Sequence, residues 1–458
     1  MENRRGRVGM DLTEGNIFQQ LMIFVVPLLL ANLVQQLYNT VDMVVIDQYV
    51  GSAGATGVST GGEVAAMITF IATALGSAGQ IYVAQLSGAK DHAAISETIM
   101  TSLVFSIGFS LAMTALCVIF CDPMLRWLNC PAEAFGQAHD YMMIVSCGLP
   151  FVFGYNMVCG VLRGMGEAKR PLLFITVAAL SNIVMDLLLV AVIPMEAAGT
   201  AIATVAAELA SFIAAFIDMY KRREQVGVEL KLSYFKMDKT SVGIILKLGI
   251  PQAIRTILVR FSMIWVNANI NSYGAVASGT NGIGNKLQKF LEIFSQSMSQ
   301  ASGAMIGQNL GAKKHDRAKK TVYIAMVASL IVALIIVGIV LLWPHALFGI
   351  FTNDADVLAM GVDYLNIMIV HFLVSAVISA YQSMVIGAGN APLNFAIGIL
   401  DGVICKIGFS LIFVNMMGMG VYGYFWGTAL SRVLPMCICM IYFYSGRWKK
   451  AQLLKDKK

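Results

Sequence analysis

Charged residues are scarce in this chain. Only 13% of its 458 residues are Asp, Glu, Lys or Arg, whereas soluble globular proteins carry roughly 25%. Long apolar runs, such as residues 322–343 and 403–417, account for the deficit, and the mean hydropathy is +0.73. This composition excludes a soluble globular protein and indicates a membrane protein.

Motifs for nucleotide chemistry and hydrolysis are missing or misplaced. No phosphate-binding GxxxxGK[ST] loop is present, so the chain carries no ATPase of its own. A GxGxxG match at 418–423 lies on a predicted turn, and a GxSxG match at 57–61 begins a predicted membrane helix rather than a strand–turn–helix elbow. The five His are scattered. We therefore expect neither an enzyme nor a bound cofactor, and energy for any transport must come from an ion gradient or a partner.

The eight Cys residues show no metal-like spacing. Most sit in or beside apolar runs, where Cys acts as a small packing residue. Cys121 and Cys130 flank one predicted external loop and could pair, which leaves a disulfide open at that position.

Apolar runs long enough to cross a membrane recur along the chain. A spanning helix needs about 20 mostly apolar residues. The first run is longer than a signal-peptide core and lacks a convincing cleavage site, so we interpret it as a retained span. Twelve spans are predicted, at 17–46, 57–84, 97–120, 136–161, 171–193, 198–220, 243–270, 279–307, 321–343, 358–387, 392–415 and 420–444.

The basic residues give this map an orientation. Of the 32 Lys and Arg, 25 fall on one side of the membrane, Arg126 alone falls on the other, and six lie within spans. Cytoplasmic loops carry the excess of Lys and Arg. The asymmetry predicts a plasma-membrane protein with both termini in the cytoplasm, and it explains the net charge of +6 without a nucleic-acid partner.

An internal repeat divides the chain into two halves. Gln85 begins the sequence QLSGAK, and Gln308, 223 positions later, begins QNLGAK; Pro27 and Pro251 keep nearly the same offset. Each half holds six spans, so both halves enter the membrane from the same side as parallel repeats. We predict an N-terminal lobe at 1–220, a cytoplasmic linker at 221–241, a C-terminal lobe at 242–445 and a basic tail at 446–458.

Polar residues within the first lobe mark a candidate ion site. Ionisable groups in hydrocarbon are costly and mark ion or substrate paths by default. Span 1 carries a polar stripe ending at Asp42, span 5 carries Asn182 and Asp186 one turn apart, and span 6 carries Thr204. Their oxygens suit Na⁺, and the carboxylates could equally carry protons. Glu208, nearer a helix end, is either part of this group or solvated at the edge.

The second lobe has the opposite balance of charge. Lys289 and Glu292 are three residues apart and could simply pair, and some of the cations could extend to the membrane surface. The alternative is that Arg255 or Lys286 lines a cavity and attracts an anionic or zwitterionic substrate. The cations in its spans are Arg255, Arg260, Lys286, Lys289, Lys406 and Arg432, against Glu292 and Asp401.

Over its whole length the chain resembles the multidrug and toxic compound extrusion (MATE) transporters, most closely the DinF-like branch. The resemblance rests on the twelve spans, the duplicated Gly-Ala-Lys motif and the polar positions Asp42, Asn182, Asp186 and Thr204. It implies two six-helix bundles in a V around a central cavity, a first-lobe cation site at those four positions, and bending of span 1 at Pro27. Relatives with acids on spans 7 and 10 differ from this chain, whose span 10 has Ser379, so a second-lobe cation site is not expected.

The sequence thus predicts a monomeric secondary antiporter that exports organic compounds in exchange for Na⁺ or H⁺. A flippase for lipid-linked oligosaccharides of the same superfamily is the first alternative, favoured by the basic second lobe. An intramembrane enzyme is the distant alternative. The residues predicted to line the substrate cavity are Gln35, Asn39, Arg255, Lys286, Tyr381 and Gln382.

Overall fold

The first half of the chain forms six long helices in the computed structural model, which describes residues 9–222, 237–450 and 454. A π-helical turn, Leu187–Val192, extends the fifth helix, and a short helix, Cys121–Trp127, precedes the fourth. The six are α1 Ile17–Tyr49, α2 Gly51–Gly88, α3 His92–Ile119, α4 Phe135–Gly164, α5 Lys169–Asp186 and α6 Glu196–Lys221.

The second half repeats this pattern. Two π-helical turns, Leu400–Cys405 and Ile412–Met416, interrupt the eleventh helix, the twelfth breaks briefly after Leu430, and a short helix, Pro344–Gly349, precedes the tenth. The long helices are α7 Lys239–Asn271, α8 Ala275–Gly311, α9 His315–Leu342, α10 Ala355–Gly387, α11 Ala391–Met416 and α12 Val421–Tyr444.

Each predicted span corresponds to one long helix, which confirms the all-α fold. Eleven of these helices are long and apolar enough to cross a membrane. The remaining one, α8, carries Asn281, Asn285 and Gln288 at helical spacing, so that one face is polar. That face lines a cavity described below.

The repeated Gly-Ala-Lys motif is a helix-ending turn in both halves. Lys90 and Lys313 each adopt a positive φ of 58°, and the preceding alanine N–H donates to the carbonyl of Gln85 (3.0 Å) or Gln308 (2.9 Å). These bonds satisfy carbonyls that the end of a helix leaves without partners. The similarity between the halves therefore marks the same backbone turn after α2 and after α8.

Glycines allow α2 and α4 to pack backbone against backbone. A Cβ on Gly160 would overlap the carbonyl of Gly76, and one on Gly76 would lie 2.5 Å from the carbonyl oxygen of Asn156. Small residues at helix crossings permit this close approach in lipid. Gly76 and Gly160 thus lie where the backbones of α2 and α4 meet.

Packing divides the chain differently from the repeat. Among the described residues, one compact unit comprises 9–12, 26–222, 237–250 and 454, and the other comprises 13–25 and 251–450. The chain therefore passes from one unit to the other within α1, next to Pro27, and within α7, at Pro251. The predicted boundaries at 220 and 242 follow the repeat, and most of the predicted linker, residues 223–236, lies outside the described residues.

The segment before α1 is attached to the second unit through α9. Arg317 donates to the carbonyls of Gly15 (2.7 Å) and Glu14 (2.7 Å) and to Gln20 Oε1 (2.8 Å). Lys314 Nζ donates to the carbonyl of Thr13 at 3.0 Å. Basic side chains at the start of α9 thus hold the entry to α1. Of the predicted basic tail, residues 447–450 form a 3₁₀ turn, and most of the rest is outside the described residues.

Candidate cation site and polar cavity

Three of the predicted cation-site residues come together in the first unit. Asp186 is the last α-helical residue of α5, and Asn182 lies one turn before it, which places both on the same face. Both are almost fully buried, at 1% and 2% exposed. The carboxyl group of Asp42, on α1, lies close enough to that of Asp186 for their charges to interact.

The oxygens of this group lack donors. Asp42 Oδ1, Asn182 Oδ1 and both carboxylate oxygens of Asp186 are buried and have no hydrogen-bond partner among the described residues. Buried polar atoms are nearly always paired, and leaving a charged one unpaired is costly. Carboxylate and amide oxygens are the ligands that hard cations prefer. The arrangement can therefore hold a small cation or a shared proton.

Three further residues belong to this group: Glu208, whose place the sequence left open, and two tyrosines that the sequence pattern did not assign to it. Glu208 Oε2, on α6, is also buried without a partner, so the interpretation of Glu208 as edge-solvated does not fit its position. Tyr38 on α1 and Tyr141 on α4 lie close enough to Asp42 and Glu208 to interact with their charges. The four-residue spacing from Tyr38 to Asp42 and from Thr204 to Glu208 was the available signal.

Apolar side chains lie on both sides of the cation site along the helices. One cluster joins Ile175, Ala178 and Ala207 to Val34 and Tyr38, before Asp42 on α1 and before Asn182 on α5. Another includes Val45, Ile46 and Val190, which follow Asp42 and Asp186 in the chain, with Ala197 and Ala201 of α6. An apolar surrounding strengthens every electrostatic interaction within it.

The two other predicted positions, Thr204 and Pro27, lie on α6 and α1. Thr204 is half-buried on α6, one turn before Glu208. Pro27 lies inside α1, which remains α-helical on both sides of it. Proline removes one backbone hydrogen bond and favours a bend at that point.

The second unit contains a buried charge network. Arg432 of α12 donates to Glu292 Oε1 at 2.9 Å and lies 3.6 Å from Asp401 Oδ2 through its Nε atom. Glu292 also contacts His371 of α10, and Ser431 donates to Asp401 Oδ1 at 3.1 Å. Glu292 is thus held by residues far away in the chain, which local spacing to Lys289 could not indicate.

A cavity of about 210 Å³ lies beside this network, within the second unit. Its lining combines amide and hydroxyl groups with apolar side chains such as Met263 and Phe425. It also includes four cations and two carboxylates, namely Arg260, Lys289, Lys406, Arg432, Glu292 and Asp401.

The residues predicted to line a substrate cavity are scattered. Arg255 contacts Gln382: with the amide oxygen turned towards the guanidinium, Gln382 accepts from its two terminal nitrogens at 3.0 and 3.1 Å. Tyr381 is buried, its hydroxyl 3.1 Å from that of Tyr444. Lys286 is exposed on α8. These four do not line the 210 Å³ cavity.

The remaining two predicted cavity residues lie in the first unit. Gln35 and Asn39 are exposed on α1, ahead of Asp42. They lie on the same helix as Asp42, but none of their side-chain atoms belongs to the buried oxygens without a donor.

A Cys–Asp–His cluster joins the short helix Cys121–Trp127 to the beginning of α4, where His139 lies. Ligand atoms of Cys121, Asp122 and His139 lie within 4.8 Å of one another, which the spacing of the cysteines did not reveal. Burial, with Asp122 and Cys117 nearby, raises the pKa of Cys121 to about 11, so its sulfur is a neutral thiol near pH 7. Cys121 and Cys130, which could have paired, are both free.

Comparison with known proteins identifies the family. The model of the family described as MatE matches residues 27–188 and 251–412, together more than half of the chain. "Probable multidrug resistance protein YoeA" of Bacillus subtilis (strain 168) is 25% identical, covering 96% of each chain. "Multidrug export protein MepA" of Staphylococcus haemolyticus (strain JCSC1435) is 21% identical, covering 95% of each.

A solved structure has the same fold. It is described as the outward-facing conformation of a multidrug resistance MATE family transporter of the MOP superfamily. It superposes with a TM-score of 0.90 at 19% identity, covering 98% of this chain and 100% of that one. Its likeness and the match of the family model to both halves lead to one conclusion: this chain belongs to the MatE family, the MATE transporters.

Proposed function

We propose that this protein is a secondary antiporter that exports small organic compounds in exchange for Na⁺ or H⁺. The observation that carries the proposal is the group of buried oxygens without donors formed by Asp42, Asn182 and Asp186 in the first unit. Family membership, the multidrug-resistance name of the Bacillus relative and the multidrug-export name of the Staphylococcus relative support the direction of transport. The alternative of a lipid-linked oligosaccharide flippase gains no support from these relatives.

In this proposal the cation binds to both carboxylates. Asp42 belongs to α1 and Asp186 to α5, so one bound cation or proton would neutralise the repulsion between them and draw the two helices together. Asn182 would supply a neutral oxygen, and Thr204 and Glu208 would complete the site from α6. Burial without donors supports this role, because a protein has little other reason to leave charged oxygens unpaired.

Pro27 would allow cation binding at Asp42 to bend α1. The part of α1 after Pro27 carries Asp42, while residues 13–25 pack in the other unit. Bending at Pro27 would let the first part stay in place while the second follows the cation. A ligand shifts such an equilibrium only through its different affinities for the two states. Binding must therefore be tighter in the bent form.

Orientation and assembly complete the proposal. Both termini would lie in the cytoplasm of a plasma-membrane protein, since the basic residues concentrate on that side. The protein would act as a monomer in the bilayer.

Flux through reconstituted vesicles tests the coupling. Purified protein is placed in liposomes with a fluorescent organic cation, and the Na⁺ and pH gradients are varied independently. We expect one gradient to drive transport, and Asp42→Asn and Asp186→Asn to abolish it. Asp140→Asn is the matched control, because Asp140 is 66% exposed on α4. Full gradient-driven flux in both site variants would overturn the proposed site.

A further inference from the structure

The 210 Å³ cavity of the second unit contains more positive than negative charge. Its described lining has four cationic side chains against two carboxylates. The two carboxylates share one cation, since Arg432 contacts both Glu292 and Asp401. Gln288 and His371 also contact Glu292, and Ser431 donates to Asp401. The acids are thus already well supplied with partners.

Lys406 is one of the positive charges that line the cavity. Its side chain is 8% exposed, yet among the described residues its ammonium makes no hydrogen bond and no ion pair within 4.0 Å. The carboxylates of Asp401 and Glu292 attract Lys406, but only from beyond ion-pair distance. A buried charge without a direct partner is costly. A protein that keeps such a group at the wall of a cavity has placed it where a ligand can supply the missing charge.

A π-helical turn sets the position of Lys406. The turn spans Leu400–Cys405, so it contains Asp401 and ends directly before Lys406. Because a π-helix bonds i to i+5, it brings residues five apart towards the same face, whereas an α-helix separates them. Asp401 and Lys406 therefore both line the cavity, where Arg432 contacts Asp401 directly and Lys406 does not. Such turns occur often at functional sites.

The rest of the lining limits the ligand. Tyr364 and Phe425 offer aromatic surface and Met263 an adaptable apolar one, while Asn281 and Gln288 offer amide groups. The volume lies below the roughly 300–1,000 Å³ of sites for drug-sized ligands. A compact molecule fits these features, with an anionic group at one end and an apolar body at the other.

We propose that this cavity binds the carboxylate of a small amphipathic organic acid, with Lys406 as its direct partner and Lys289 and Arg260 adding positive potential. This assigns an organic anion as a substrate class, and it rests on the proposed export of small organic compounds. The carboxylate completes the ion pair that Lys406 lacks within the protein. Glu292 and Asp401 attract Lys406 without contacting it, so its ammonium can still contact a bound carboxylate.

Ligand-observed ¹⁹F NMR on the purified full-length protein in detergent tests the proposal. The probes are 4-fluorobenzoate and its neutral isostere 4-fluorobenzamide. We expect the acid to bind at least tenfold more tightly than the amide. Lys406→Met should abolish this preference and Lys406→Arg should retain most of it. Lys286→Met is the matched control, because Lys286 lies on α8 but does not line the cavity.

Each outcome decides the matter. Equal binding of the two probes, absence of binding by the acid, or undiminished binding in Lys406→Met would overturn the proposal. Unfolding of Lys406→Met is not expected, because the substitution removes a buried charge that makes no direct ion pair. Retention of binding by Lys406→Arg supports the assignment independently. Binding is measured without a gradient, so its failure leaves ion-driven antiport standing. Conversely, if the acid binds but transport does not depend on the Na⁺ or pH gradient, only the proposed antiport is refuted.

Discussion

Replacing Asp42 with Asn is expected to stabilise the protein while removing its response to the coupling ion. In the native chain, Asp42 and Asp186 bring two carboxylates together with no donor for their buried oxygens. Asn at position 42 removes one charge and offers an N–H group to Asp186. A hydrogen bond to a charged group contributes about 1.5–3 kcal/mol. Since Asp42 is only half-buried, solvent screening reduces the expected gain to about 1–2 kcal/mol in ion-free buffer.

The coupling ion should stabilise the native protein by a similar amount. A ligand that binds only the folded state adds RT ln(1 + [L]/Kd), or about 2.7 kcal/mol at a hundredfold excess over Kd. The Asp42→Asn variant lacks one of the two carboxylates, so its stability should not depend on the ion. Native protein with saturating ion and the ion-free variant should therefore unfold at similar temperatures.

Tryptophan fluorescence during heating measures both effects in detergent. The native chain, Asp42→Asn and the exposed control Asp140→Asn are each heated with and without Na⁺ and at two pH values. We expect the control to follow the native chain. The reasoning fails if Asp42→Asn unfolds at a lower temperature than the native chain without ion, or if Na⁺ or acid still raises its unfolding temperature.

Three other predictions follow from packing, capping and topology. Gly160→Leu should overpack the contact with the backbone of Gly76 and destabilise the protein by about 1–3 kcal/mol, seen as early thermal unfolding. Asp238→Ala should cost about 0.5–2 kcal/mol, because the carboxylate accepts from two N–H groups at the start of α7, at 3.1 and 2.7 Å. Trp127→Cys should react with a membrane-impermeant thiol reagent added outside intact cells, since residue 127 is 79% exposed on a predicted external loop.

These predictions have internal controls. Gly108→Ala should not destabilise the protein, because nothing beyond its own stretch of helix backbone lies within 4 Å of a Cβ built there. Asp238→Asn keeps the capping oxygen and should retain most of the stability. Burial alone would raise the pKa of Asp238, but hydrogen bonds from Ser241 and Thr240 outweigh it and lower the pKa. The stability that Asp238 contributes is therefore fully present above pH 3.8, the pKa of the carboxyl group in the unfolded chain. It is lost as the pH falls through the lower pKa of the folded state.

Each prediction can be contradicted. Native-like unfolding of Gly160→Leu would mean that the backbones are not in contact. An Asp238→Ala variant as stable as Asp238→Asn would exclude the cap. Labelling of Trp127→Cys only after the membrane is opened would reverse the proposed orientation.

The helices themselves could be predicted from local pattern. Apolar length set the twelve spans, and the Gly-Ala-Lys repeat marked the turns after α2 and α8. Four-residue spacing also placed Asn182 and Asp186 on one face of α5. Each of these features depends on neighbours within a few residues, which the sequence lists directly.

Partners across helices could not be predicted in the same way. Glu292 lies three residues from Lys289 in sequence, but its partners are Arg432 and His371, 140 and 79 positions away. Tyr381, expected at a substrate cavity, instead packs its ring against Phe443. Helix rotation and crossing decide such contacts, and neither is encoded in the period of one helix.

By itself, the sequence determined the membrane class, the number of spans, the duplicated frame and the acids expected to carry an ion. Only the tertiary structure decided which charges keep a partner. It left Asp42 and Asp186 without donors, gave Arg432 to Glu292 and Asp401, and left Lys406 facing a cavity. Local patterning fixes the helices because their hydrogen bonds close within a turn. Charge pairing depends on how separate helices pack, which only the assembled chain specifies.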